Sequence, residues 1–233
     1  MQEEVLGMRA RGFPASRIAA QVGLSIRSVQ RIARATAYHE AGHLAAGALF
    51  DQKPDWATLV PDPKTHILAE VTRMDGDLTS KKGLRREIIN YYAGQCAELR
   101  AGGSSRRAKL GASIDDHMAR NCINLLLGEG ATDEQISSID KEMRTITDSF
   151  VVEHWSFIER LAKELLERTT MVWEEINGLL GIYQGKSTEK ELARLREALA
   201  SLRDDCKLMG KNAVYKGPSS KFGRDVISTW ACE

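Results

Sequence analysis

The chain has 233 residues, enough for one or two domains with a proper core. Its 33 lysines and arginines nearly cancel 32 aspartates and glutamates, which excludes a polycation built as a whole for nucleic acid, and 6% aromatic residues exclude an extended base-stacking surface. No apolar run reaches the ~18–20 residues that span a bilayer, no signal-peptide profile opens the chain, and Cys96, Cys122, Cys206 and Cys232 form no C-x-x-C pair; no membrane partner and a reducing, cytoplasmic setting are expected.

Helical periodicity covers 3–11, 15–22 and 25–50, broken by "GFP" at 12–14 and "GLS" at 23–25. Within it, "SRIAAQVGLSIRSVQRIAR" (16–34) has a helix-turn-helix pattern. Ile18, Ala19, Val22 and Leu24 form the inner face, Gly23 permits the turn, Ser25 caps the second helix, and Val29 and Ile32 lock it down. Arg27, Ser28, Gln30, Arg31 and Arg34 then face outward, as base- and phosphate-contacting residues do. Residues 1–35 hold six arginines against two glutamates, an asymmetry that fits contact with DNA. No breaker follows Arg34, so the second helix is expected to run on into the next segment.

That segment, "TAYHEAGHLAAGALF" (36–50), places two histidines and a glutamate among small apolar residues. Residues four apart share a helical face, so His39 and His43 can point at one ion, and neutral imidazole is a good zinc ligand. Glu40 is offset around the helix, beside the metal-bound water instead of on the metal. Zinc lowers the pKa of that water to about 7, and Glu40 can take its proton as general base and later hand it to a departing amine. This is the H-E-x-x-H arrangement of zinc peptidases. Burying two imidazoles and a carboxylate without a common partner costs several kcal/mol, which coordination removes. A catalytic zinc wants a third protein ligand. His66, Glu98, Asp115, Asp116, His117 and His154 are the candidates, and spacing does not choose between them.

After Asp51 the texture changes. Pro54, Pro61 and Pro63 punctuate two short β-like pieces, "WATLV" (56–60) and "HILAEVTR" (66–73), the second a candidate edge strand for an extended peptide. Helical pattern returns at 79–101, "AGGSSRR" (101–107) reads as a loop, and 115–127 as a helix capped near Ser113. Two or three helices follow over 132–181. "LGIYQGKST" (180–188) misses the first glycine of a phosphate-binding loop and follows a helix, so nucleotide binding is not expected. Leu192, Leu195, Leu199 and Leu202 form a stripe that serves either a short coiled-coil seam or packing on the chain's own domain, and the last ~25 residues read as irregular.

"AYHEAGH", "ATLVPD", "YYAGQCAELRAGG" and "LGASIDDHMAR" together resemble, in order, the peptidase segments of FtsH-type zinc metalloproteases, and "FIERLAKELLERTTMVWEEINGLL" (157–180) is similar to that family's closing helices. The resemblance implies that Asp115 is the third zinc ligand and that Glu98 supports the site from behind. It implies a mainly α fold with a small β element: an FtsH-like zincin domain over 36–182, preceded by the helix-turn-helix-like segment 1–35 and followed by a C-terminal helix and irregular tail over 183–233. Membrane helices and an ATPase module, which the family carries ahead of its protease, have no counterpart in this sequence. The expected activity is a soluble zinc metallopeptidase without its own ATPase, cutting peptides or unfolded proteins, with a separate ATPase partner and a homo-oligomeric ring as further implications. The alternative is a DNA-binding regulator whose peptidase fold is a sensor or inactive scaffold.

Overall fold

The structure, a computed structural model, describes residues 1–61, 69–73, 76–105, 108 and 112–208. His66, the first part of the 66–73 piece, Arg106 and Arg107 of the expected loop and the tail beyond 208 lie outside the described residues. In chain order come helices α1 (Gln2–Ala10), α2 (Ala15–Val22) and α3 (Ile26–Leu49), then strands β1 (Pro54–Thr58) and β2 (Glu70–Arg73). Helices α4 (Lys81–Arg100), α5 (Ser113–Leu127), α6 (Asp133–Glu153) and α7 (Trp155–Arg168) follow, and strand β3 (Thr170–Val172) leads into α8 (Trp173–Tyr183) and α9 (Glu189–Leu208). The fold is mainly helical with one small sheet. Among the described residues, no helix is long and apolar enough to cross a membrane.

α3 is the central element. Ser25 caps it by accepting from the Ser28 amide, and the helix then runs unbroken from the N-terminal segment into "HEAGH". From Ala35 to Ala48 every residue is buried. Its alanines and glycines, lacking bulk, allow neighbours to close in on all sides. The closest approach is at Gly42, where a Cβ would lie 2.3 Å from the carbonyl oxygen of Ala93 on α4. On another face Leu44 and its neighbours join Phe157, Ile158, Leu161 and Leu165 of α7 and Ile176 and Leu179 of α8 in the main core.

A second core clamps α4, α5 and α6 together through Ile88, Tyr92, Ala119, Cys122, Ile123 and Met143. On α5, Ala119, Cys122 and Ile123 fall on one helical face, and Asp115 extends that face by one turn. The core that docks α5 thereby aims Asp115 inward. The helix starts one residue away from the expected cap: Ala112 occupies the N-cap position with no side-chain hydrogen bond, and Ser113 is the first helical residue.

The sheet has the order β2-β1-β3, antiparallel throughout, with Ala57 opposite both Val71 and Met171. Among the described residues β2, the second half of "HILAEVTR", lies at one end of the sheet. β3 is an addition: three residues between two strongly helical stretches carry too little alternation to read as a strand. The leucine stripe of α9 packs inward, with Leu192 2% exposed in the main core and Leu195 against it, while Leu202 is exposed. Arg196 of α9 reaches the buried Glu164 of α7 at 2.6 Å, tying the helix down. The stripe therefore serves its own core along the first half of the helix.

Candidate metal centre

α3 and α4 run antiparallel, and the face of α4 that meets α3 carries Glu87, Asn90, Gly94 and Glu98, spaced three and four apart. Each has a partner on or beside α3. Asn90 is 1% exposed and grips His43 twice: its carbonyl accepts from His43 Nδ1 at 2.8 Å, and its side-chain amide donates to the His43 carbonyl at 3.3 Å. The same amide donates to Gln52 Oε1 at 3.0 Å, and Gln52 in turn donates to the buried Glu87 carboxylate. With Nδ1 committed as a donor, the His43 lone pair lies on Nε2. At the other end of the face, Glu98 Oε2 lies 3.4 Å from His39 Nδ1, likewise leaving His39 Nε2 to point away from the carboxylate.

Those two Nε2 atoms converge on Asp115. Its Oδ2 is 3.3 Å from His39 Nε2 and 3.6 Å from His43 Nε2, and the three donor atoms lie within 4.8 Å of one another. Charge-assisted hydrogen bonds are shorter, about 2.7–2.9 Å. Ligands held at about 2.0–2.1 Å around a tetrahedral zinc lie roughly 3.3–3.4 Å apart; the His39–Asp115 distance matches this and the His43–Asp115 distance is slightly longer. Gly94 makes the room: a Cβ there would be 2.4 Å from His43 Nε2 and 2.9 Å from His39 Nε2, filling the point the donors face. Donor types, spacing and this cradle all fit a zinc ion.

The electrostatics agree. Burial opposes a charge on His39, yet Asp115, Glu98 and Glu40 outweigh it and lift the imidazole to about 10. Burial likewise opposes ionisation of Asp115, but the two histidines hold its carboxyl well below the usual carboxylate range. Three carboxylates around two imidazoles make a pocket that favours a cation. Glu40 is 7% exposed and sits on the same turn as His39, on which its charge acts.

Among the described residues the other third-ligand candidates lie away from this point. Asp116 accepts from Arg144 at 2.9 Å; the same guanidinium donates to Asp140 and Gln95 and lies 4.0 Å over the Tyr92 ring, fixing the first turn of α5 against α4 and α6. His117 is exposed, and His154 bonds the Tyr183 hydroxyl at 2.9 Å. Glu98 stands behind His39, not beside Asp115. Gly94, Asn90, Gln52 and Glu87 were not singled out from the sequence, since only the approach of α4 to α3 gives them their roles.

Of the outward-facing residues expected on the N-terminal segment, Arg27, Gln30, Arg31 and Arg34 are exposed, and Ser28 is half-buried beside Ser25. The "LGIYQGKST" segment begins inside α8, so no strand leads into it. No model of a known protein family matches the chain, and no curated protein matches it either.

Proposed function

We propose that the chain is a zinc-dependent metallopeptidase that hydrolyses peptide bonds, with an FtsH-like catalytic centre. The observation that carries this reading is the convergence of His39, His43 and Asp115 on one point beside Glu40. The order of the FtsH-like motifs along the sequence supports it too.

In this reading His39, His43 and Asp115 hold the ion, while Asn90 and Glu98 fix the imidazoles from behind, as acceptors opposite metal-binding nitrogens do. When bound, zinc supplies Lewis acidity towards a water molecule and a peptide carbonyl. Glu40 removes a proton as water attacks the carbonyl carbon, then delivers it to the amide nitrogen as the C–N bond breaks. An extended substrate pairs with β2, which lies at one end of the sheet among the described residues. Unstructured polypeptides are the substrates in this reading, and an ATPase partner or assembly into a ring belongs to it too.

The test is Glu40→Gln, which keeps the shape and the ligands but removes the base. We expect zinc content to be retained and cleavage of casein to fall about 10²–10⁴-fold, the usual contribution of a general base. Cleavage at the unaltered rate refutes the assignment of Glu40.

A further inference from the structure

The first three helices make a small unit with its own core. Val5 and Met8 of α1, Ile18 and Ala19 of α2 and Val29 of α3 are buried together, with Phe13, Val22, Leu24 and Ile32 packed around them. Gly23, at φ 69°, turns the chain between α2 and α3, a conformation that suits glycine. What this packing leaves outside is basic. From Val5 to His39 the sequence has no aspartate or glutamate, and six arginines.

One of those arginines is used internally: Arg9 donates to the Leu166 carbonyl at 2.9 Å and ties α1 to the end of α7. Arg11 and Arg17 flank the Phe13 ring, at 5.7 and 4.3 Å. Arg27, Gln30, Arg31 and Arg34 stand exposed at the spacing of one helical face, on the first half of α3. The basic surface continues onto the body through a stack. Arg34 lies 5.3 Å over Tyr38, Tyr38 stacks on Trp155 at 5.4 Å, and the exposed Arg100 lies 5.0 Å over Trp155.

We propose that this face of α3 binds duplex DNA, entering the major groove with Gln30 towards the base edges while Arg27, Arg31, Arg34 and Arg100 contact phosphates along its margins. The major groove, about 12 Å wide, admits one α-helix, and arginine and glutamine carry the donors that its base edges and phosphates accept. The chain as a whole has a net charge of +1, so attraction to a polyanion rests on local basic surfaces such as this one. The patch is also rigidly joined to the metal centre. Arg31 and His39 lie eight residues apart on one unbroken helix, about 12 Å along its axis, so DNA held there would keep the centre at a fixed distance. The binding itself needs no metal.

The experiment is fluorescence anisotropy of a labelled 30-base-pair duplex of mixed sequence, titrated with the full chain at 50 and 200 mM salt. Four arginine–phosphate contacts predict a roughly hundredfold loss of affinity between the two salt concentrations. The double substitution Arg27→Ala, Arg31→Ala removes two contacts from an exposed face, and circular dichroism should show an intact fold. We expect at least tenfold weaker binding at 50 mM and a visibly shallower salt dependence. Arg120→Ala, on an exposed part of α5, should change nothing. Absence of binding at 50 mM salt, equal binding by the double variant, equal weakening by Arg120→Ala, or tighter binding to an RNA hairpin of the same charge each overturns the proposal.

Discussion

Replacing Gly94 by alanine adds a single methyl group at the point the two imidazoles face. The new Cβ would lie 2.4 Å from His43 Nε2 and 2.9 Å from His39 Nε2, where carbon and nitrogen ordinarily rest at about 3.5–4.0 Å. His43 cannot swing aside freely, because doing so breaks its 2.8 Å bond to the Asn90 carbonyl inside a closed helix crossing. Overpacking of this kind costs about 1–3 kcal/mol, and alanine in a helix interior returns about 0.5–1 kcal/mol. The metal-free variant should therefore lose roughly 0–2 kcal/mol of stability and remain folded. Zinc affinity is affected far more. Outer groups that merely orient a ligand change metal affinity by about 10–100-fold, so displacing a ligand itself should cost at least ~100-fold. The assay is a competition titration against a chromophoric chelator, paired with thermal unfolding of the metal-free protein. A Gly94→Ala protein that binds zinc as tightly as the unaltered chain refutes the position assigned to the ion.

Gly42→Ala tests the helix crossing instead of the ligands: its Cβ would meet the Ala93 carbonyl at 2.3 Å, and because backbone cannot rotate away, α3 and α4 must separate. Urea unfolding should show a loss of about 1–3 kcal/mol or more, with weakened zinc binding as a consequence. Asn90→Ala leaves buried Gln52 without its donor and the His43 carbonyl without its side-chain contact, so stability should fall by about 1–3 kcal/mol in the same assay. Leu192→Ala should cost about 2–5 kcal/mol if α9 belongs to the main core; a change near zero contradicts that packing.

The sequence revealed those features that depend on local periodicity. A spacing of four puts His39 and His43 on one side of a helix in any fold that keeps the helix, and the glycine turn at 23 with the serine cap at 25 needs only nearby residues. Asp115 was one of six candidates by spacing and stood out only through resemblance, because its direction depends on which face of α5 the second core buries. Gly94 and Asn90 were less visible still. Their roles arise from the approach of two helices whose contacting residues lie some fifty positions apart, and no local pattern encodes that distance. The start of α5 near Ser113 was legible too, although the helix begins from Ala112 without a side-chain bond. The α9 stripe suited two environments equally by pattern, and only the surrounding helices decide between them.

Elemental analysis of the purified protein, and of His39→Ala, His43→Ala and Asp115→Ala beside it, addresses the metal centre without any knowledge of the substrate. About one zinc per chain in the unaltered protein, and a large loss in each of the three variants while circular dichroism remains helical, is the expected result. A folded, unaltered chain that carries no zinc and takes up none from a buffered zinc solution contradicts the account.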